Sequence, residues 1–359
     1  MMGKFYSLKN ILKTDSTYYM IFGGRSNGKT YAVQEYALKR YWNKGEQCAI
    51  IRRYRDDFIG GRGVQMFENQ VSTGNVKLIT GGVWDEIFYF RSAWYLSRHD
   101  KNGEVIRDEK PFCYGFSLSS MEHDKSTSYP YIKTILFDEF ITRTQYLTDE
   151  FILFMNVLST IIRHRTDVHI FMIGNTVNKY CPYFAEMGIT HVRDMKPGDI
   201  DVYKYGNSDL RVAVEYSENK VGKESSKYFA FDNPKLSMIT GSEWEIDMYP
   251  HCPIKYKPKD IIMIYFMIFD ESILQCEIVN TGNEQFTFIH RKTTKIHDED
   301  TDIIYSQEYD PRPNHARRLT HPVREWQKFI YSFFQSDRVF YQDNEVGEIV
   351  RNYILWCNQ

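Results

Sequence analysis

Gly23-Gly24-Arg25-Ser26-Asn27-Gly28-Lys29-Thr30 fits the pattern G-x-x-x-x-G-K-[ST] at every defined position. Gly23 and Gly28 permit backbone angles that a side chain would resist, so successive N–H groups can converge on one phosphate chain. In such a loop the lysine, here Lys29, reaches the β- and γ-phosphates, and Thr30 offers its hydroxyl to Mg2+. The helix that starts here points the positive end of its dipole at the nucleotide. The eight residues from Gly23 to Thr30 are therefore the candidate ATP-binding segment.

The flanks suit that reading. Tyr18-Tyr19-Met20-Ile21-Phe22 is an apolar, aromatic run of strand type, and Tyr31 to Lys44 has the character of a helix ended by Gly45. Cys48-Ala49-Ile50-Ile51 is a short buried strand running into Arg52-Arg53-Tyr54-Arg55. At the carboxyl rim of an α/β sheet those cations have two readings, contact with a phosphate of ATP or DNA, or an exposed basic turn. Between Asp56 and Cys113 the glycine pairs, Ile87 to Phe90 and Asn102-Gly103 suggest a β-rich insertion with hairpin turns.

Ile132-Lys133-Thr134-Ile135-Leu136-Phe137-Asp138-Glu139 is an apolar strand ending in two acids. After a phosphate loop, a carboxylate at a strand end suits magnesium and an adjacent glutamate suits deprotonation of water. Asp138, with Thr30, is the metal candidate and Glu139 the candidate base, a pairing that points to hydrolysis of ATP. Phe151, Phe154, Met155, Leu158 and Ile162 follow helical spacing and deliver Arg163-His164-Arg165 at the helix end. Those arginines also suit a plain cap of the helix carboxyl terminus. Val168 to Ile173 is a strand, and Asn175 just beyond it is either a sensor of the γ-phosphate or a turn former.

Composition sets the bounds. The 359 residues, 42% apolar and 26% charged, suffice for two folded domains. No apolar run approaches a bilayer span, and the first residues lack the apolar core of a signal peptide, so a cytoplasmic location without membrane contact is expected. Six scattered cysteines without a C-x-x-C pair suit free thiols in a reducing compartment. The net charge of -2 argues against a basic coat protein, although the first 55 residues hold an excess of Lys and Arg over Asp15, Glu35 and Glu46.

Taken in order, these parts resemble the DNA-packaging ATPase of φ29-type tailed bacteriophages. The resemblance rests on the phosphate loop, Ile51-Arg52-Arg53-Tyr54, Lys125-Ser126 with Tyr129-Pro130, Leu136-Phe137-Asp138-Glu139-Phe140, Arg163-His164-Arg165, and Asn175 with Pro182-Tyr183-Phe184. It covers about the first half of the chain. It implies an α/β P-loop NTPase domain of the additional-strand, catalytic-glutamate type, over residues 1–215. Subunits would form a homo-oligomeric ring, a pentamer, at the portal vertex of an empty capsid in the host cytoplasm. Arg163 would be an arginine finger inserted into the next subunit's site, Lys125 a second residue acting across that interface, and Arg25 an arginine near the γ-phosphate.

Residues 216–256 read as a linker region. Beyond it, Ile261 to Phe269, Ile273 to Val279 and Phe286 to His290 look like three strands, with helices from Val323 to Phe334 and Glu345 to Trp356. By resemblance, 257–359 is a smaller α+β, ribonuclease-H-like domain, a vestigial nuclease. Asp270 and Glu271 follow its first strand, without a convincing further set of metal-binding carboxylates. Arg312, His315, Arg317, Arg318 and Arg324 suit either contact with DNA or a structural packaging RNA, or a surface loop.

The expected function is an ATP-driven motor moving double-stranded DNA, with ATP and Mg2+ as cofactors and the portal connector as a partner. A RecA-like helicase and a nucleotide-gated DNA-binding protein are the alternatives. A helicase would separate strands, and a gated binder would tolerate loss of Glu139.

Overall fold

The computed structural model describes residues 5–123, 127–143, 145–176, 178, 180–218, 249–252, 254–294 and 299–358. Two compact units divide the chain, Met1–Glu245 and Ile246–Gln359. Most of the expected linker, including residues 219–248, lies outside the described residues.

The first unit is built on one large sheet. Strand β1 (Tyr18–Gly23) leads through the phosphate loop into helix α1 (Lys29–Lys44), which returns to β2 (Gln47–Arg52). Three five-residue helices follow, α2 (Gly61–Gln65), α3 (Glu68–Ser72) and α4 (Asn75–Ile79). After them come β3 (Glu86–Phe90), β4 (Ala93–His99), β5 (Val105–Arg107), β6 (Cys113–Ser117) and β7 (Ile132–Asp138). Helix α5 (Glu150–Ile162), β8 (His169–Asn175), α6 (Pro182–Glu186), β9 (Ile200–Lys204) and β10 (Arg211–Ser217) complete it.

Strand order is β3-β4-β6-β2-β7-β8-β1-β10-β9, with β5 beside β4. From β6 to β10 neighbouring strands are parallel. Strand β8 stands between the phosphate-loop strand and the acid-ended strand, which is the additional-strand arrangement of this P-loop class. Both faces of the sheet are covered, so β1 is apolar throughout rather than alternating. Met20 and Phe22 join one core with Phe154, Leu158 and Ile161 of α5. Tyr19 and Ile21 join the other with Val33, Ala37 and Leu38 of α1.

The expected β-rich insertion is thus helical in its first third. Gly61 and Gly63, read as turn residues, open α2. Gly63 lacks a Cβ where one would sit 2.4 Å from the Tyr89 ring, so the helix can lie against the β3–β4 hairpin. Phe67 and Val76 are buried against α1, and the positive φ of Gly74 separates two short helices that a longer period would have shown as one.

The second unit carries β11 (Ile261–Phe269), β12 (Ser272–Asn280) and β13 (Gln285–Arg291), an antiparallel meander in which β11 has its expected range and the other two run one residue further at each end. Strand β14 (Ile303–Ser306) pairs parallel to β11 and β15 (His315–Ala316) parallel to β14. The order β13-β12-β11-β14-β15 is the ribonuclease-H-like one, extended by β16 (Val339–Tyr341) beside β13. Helices α7 (Glu325–Gln335) and α8 (Asn344–Cys357) bury Ile330, Phe333, Val350 and Tyr353.

In this unit Tyr265 on β11 and Tyr305 on β14, both fully buried, meet edge to face at 6.1 Å. The basic stretch is largely engaged internally. Arg312 pairs with Asp310, Glu299 and Asp300, Arg317 lies over the Trp356 ring and donates to Gln307 O, and Arg324 donates to Pro313 O. Those contacts favour the surface-loop reading for these three residues.

Candidate active site

Sheet register places the site. Gly23 pairs with Asn175 and Asp138 with Ile173, so the carboxyl ends of β1, β8 and β7 open on one edge. Ile51 pairs with Phe137, so the following residues, Arg52 and Asp138, leave adjacent strands side by side.

The loop is shaped by close approach as much as by dihedral freedom. A Cβ on Gly23 would stand 2.3 Å from Ser217 Oγ, and Gly28 holds φ 91° as it caps α1. Asn27 Nδ2 donates to Ser217 Oγ at 2.9 Å, and Ser217 Oγ donates to Phe22 O at 3.0 Å, so the end of β10 braces the loop from behind. Tyr6 adds a second brace, donating its N–H to Asn27 O at 2.9 Å and its hydroxyl to Glu215 of β10 at 2.6 Å. Neither brace is visible in a motif.

Lys29 is only 4% exposed. Its ammonium donates to Gly24 O at 2.8 Å, Asn27 Oδ1 at 3.2 Å, Gly23 O at 3.3 Å and, more weakly, Asn175 Oδ1 at 3.5 Å. Burial pulls its pKa down to about 8, against the opposing pull of the Asp138 carboxylate. Asn175 therefore shares the loop with Lys29. Arg25 and Ser26 are exposed on the outer side of the loop.

Thr30 Oγ1 donates to Asp138 Oδ1 at 3.2 Å, which brings two hard oxygen donors from α1 and β7 together. That pair fits a magnesium ion shared with phosphate oxygens. Burial raises the Asp138 pKa, the Arg52 guanidinium works against it, and Glu139 adds to the rise. Arg52 donates from Nη2 to Asp138 Oδ2 at 2.9 Å and from Nη1 to Glu139 Oε2 at 2.7 Å. The Glu139 side chain is 63% exposed, and its backbone sits at φ 62°. A left-handed non-glycine residue costs about 1–2 kcal/mol, so surrounding contacts must hold it there.

Of the four basic-turn residues, Arg52 faces the acids. Arg53 is buried, and its guanidinium donates to the Glu139 and Phe140 carbonyls and to Glu150. Arg163 stands apart from the site, since it caps the far end of α5 and donates to Thr127 O at 2.9 Å. Arg165 donates to Ile161 O, Ile162 O, Pro130 O and Ile132 O, the helix-capping role. Lys125 lies outside the described residues. Among the described residues no helix is long and apolar enough to cross a membrane.

The sequence profile of the podovirus DNA encapsidation protein (Gp16) family matches residues 2–77 and 99–227. The gap between the two stretches holds β3 and most of β4. The DNA packaging protein of Bacillus phage B103 is 25% identical over 240 residues, covering 65% of this chain and 63% of that protein. The chain thus matches a little under two thirds of the length of this curated relative. Among solved structures, the bacteriophage Phi-29 viral genome packaging motor assembly superposes with a TM-score of 0.59 at 19% identity, over 98% of this chain and 97% of that one. The Phi-28 gp11 DNA packaging motor gives 0.55 at 20% identity, over 99% and 98%. These two share the fold across both units. The phosphate loop, Asp138, Glu139 and the inserted strand β8 all fall within the profile's matched stretches, which span more than half of the sequence, and the chain belongs to the podovirus DNA encapsidation protein (Gp16) family.

Proposed function

We propose that the chain is the subunit of an ATP-hydrolysing motor that moves double-stranded DNA into a preformed capsid. The observation that carries this reading is the Thr30 hydroxyl 3.2 Å from Asp138 at the mouth of the phosphate loop, with Glu139 as the next residue. The loop amides and the N-terminus of α1 would cradle the phosphates. Lys29 would exchange Gly23 O and Gly24 O for β- and γ-phosphate oxygens. Thr30 and Asp138 would hold Mg2+, which when bound withdraws charge from the phosphates. Glu139, released by Arg52, would orient water and take its proton.

Arg163 supports a ring. Helix α5 is 13 residues long, about 20 Å at 1.5 Å per residue, and beyond its end Arg165 donates to Ile132 O at the start of β7, the opposite end of that strand from Asp138. That supports a role for Arg163 in the neighbouring subunit, where Lys125 would be the second residue acting across the interface, with Arg25 and Asn175 acting within the subunit. Similarity to a DNA packaging protein and to a viral genome packaging motor assembly supports a multi-subunit packaging motor, which by the resemblance of the sequence would be a pentamer working with portal and structural RNA at the capsid vertex in the host cytoplasm.

The test is ATP hydrolysis by the full chain with and without double-stranded DNA and portal-bearing empty capsids. Stimulation by both, with DNA protected inside the capsid, is expected. Strand separation without packaging would favour a helicase, and binding without turnover would favour a nucleotide-gated binder.

A further inference from the structure

Arg53 and Glu150, 97 positions apart, form a buried bridge that the mechanism above does not use. Arg53 Nε donates to Glu150 Oε2 at 2.7 Å and Nη2 to Oε1 at 2.8 Å, a two-pronged pairing whose carboxylate side chain is wholly buried. The remaining lone pairs of that carboxylate are taken as well. Leu147 N–H donates to Oε2 and the Tyr183 hydroxyl to Oε1, each at 2.8 Å. The face of the guanidinium lies 5.1 Å from the centre of the Tyr146 ring.

A buried ion pair does not in general stabilise a fold more than apolar residues of equal volume, so its use lies in the geometry it enforces. Here the guanidinium has two further acceptors, Glu139 O from Nη1 and Phe140 O from Nη2, both at 3.2 Å. On the other side Phe140 N–H donates to Ile173 O at 3.1 Å. The left-handed Glu139 is therefore gripped at its own carbonyl and at both backbone groups of the next residue. Glu150 is also the first residue of α5, and Arg163 follows the last one, its N–H bonded to Ser159 O at 3.0 Å.

We propose that Arg53 and Glu150 are positioning residues that set the backbone of Glu139 and, through α5, tie it to Arg163. The proposal rests on the reading of Glu139 as the base and Arg163 as acting in the neighbouring subunit. One clamp joins the group that activates water in a subunit's own site to the cation that this subunit lends to the next. Movement of the Glu139 backbone during turnover is then felt at Arg163 through a single rigid helix.

The test uses the full chain with three variants, Glu150→Gln, Arg53→Lys and the milder Tyr183→Phe, each assayed at a temperature where a cooperative melting transition shows it to be folded. Glu150→Gln and Arg53→Lys are expected to lower kcat for ATP by about 10–100-fold, and Tyr183→Phe by about 3–10-fold, with KM and nucleotide affinity unchanged, as for loss of an interaction made only in the transition state. In single-turnover assays, adding Glu150→Gln to Glu139→Gln is expected to cost less than twofold, because the bridge acts through Glu139. An equal further loss in that background, or a change confined to KM, overturns the positioning role. Should Glu150→Gln and Arg53→Lys fail to fold, Tyr183→Phe in the two backgrounds decides the same point.

The link to Arg163 is read by mixing subunits. Arg163→Ala subunits are expected to regain activity beside Lys29→Ala subunits but not beside Glu150→Gln subunits, and equal recovery in both mixtures overturns the link. Wild-type turnover by Glu139→Gln, or no recovery in the Lys29→Ala mixture, would instead count against the underlying reading. In the latter case the link to Arg163 falls with it, and the double-variant comparison still judges the role at Glu139.

Discussion

Arg52 bridges Asp138 and Glu139 with one guanidinium, 2.9 Å from the first and 2.7 Å from the second. Two carboxylates on consecutive residues repel, and one of them is buried, so a cation between them satisfies both. Asp138 is also the carboxylate that would take magnesium. Arg52 therefore supplies to Asp138 a positive charge of the kind that a bound metal would supply, while pairing with the exposed Glu139 carboxylate.

Arg52→Ala follows directly. Removing one partner of a buried pair leaves a buried carboxylate uncompensated, a loss on the order of 3 kcal/mol. Urea unfolding should show that loss without nucleotide. With Mg-ADP present the deficit should shrink by at least half, because the metal restores the missing charge. An equal deficit under both conditions would mean that Arg52 and the metal do not share Asp138.

Glu139→Gln keeps the size and the exposed placement of the side chain while removing the base. Nucleotide affinity should stay within about threefold of wild type, since the loop is untouched, while single-turnover hydrolysis should fall by about 10²–10⁴-fold. Retained turnover would assign the proton to another group and would separate this chain from a motor that needs its glutamate.

What the sequence made legible was local. The loop octet, the strand ending in Asp138-Glu139 and the long apolar strands are contiguous, so spacing alone places them. The two braces on the loop are not, because Asn27 meets Ser217 across 190 positions and Tyr6 meets Glu215 across 209. Arg53 and Arg52 were one basic cluster in the sequence. Only strand pairing shows that the first enters the interior and the second faces the acids. Strands β14 to β16 have four, two and three residues, too short for any period to register, yet β14 and β15 complete the order that defines the second sheet.

The buried Lys29 gives a pH dependence whose sign can be worked out. Its pKa in the folded chain is about 8 against an ordinary 10.5, so between those values the unfolded chain binds the extra proton and stability rises with pH. Nucleotide binding has the opposite slope, since the phosphates need the charged amine. Affinity should weaken by up to about tenfold per pH unit above pH 8, with proton uptake on binding measurable by calorimetry in buffers of different ionisation enthalpy. Lys29→Arg should flatten the profile in this range whatever its absolute affinity. Lys29→Ala should abolish turnover at every pH.

Arg163 and Lys29 provide the test of assembly, because the proposed function assigns Arg163 to the neighbour's site and Lys29 to its own. Alone, Arg163→Ala should lower turnover by about 10³–10⁵-fold if the guanidinium stabilises the transition state in a neighbour's site. Alone, Lys29→Ala should be inactive for want of a working loop. In a mixed ring an Arg163→Ala subunit keeps its own loop and borrows the arginine of a Lys29→Ala neighbour, so some sites become whole. Activity should peak at intermediate mixing ratios and vanish at both extremes, with the peak set by how often the two kinds of subunit are adjacent in the required order. A flat, inactive profile at all ratios would place Arg163 in its own subunit, where the single bond to Thr127 O and the cap on α5 would then be its whole role.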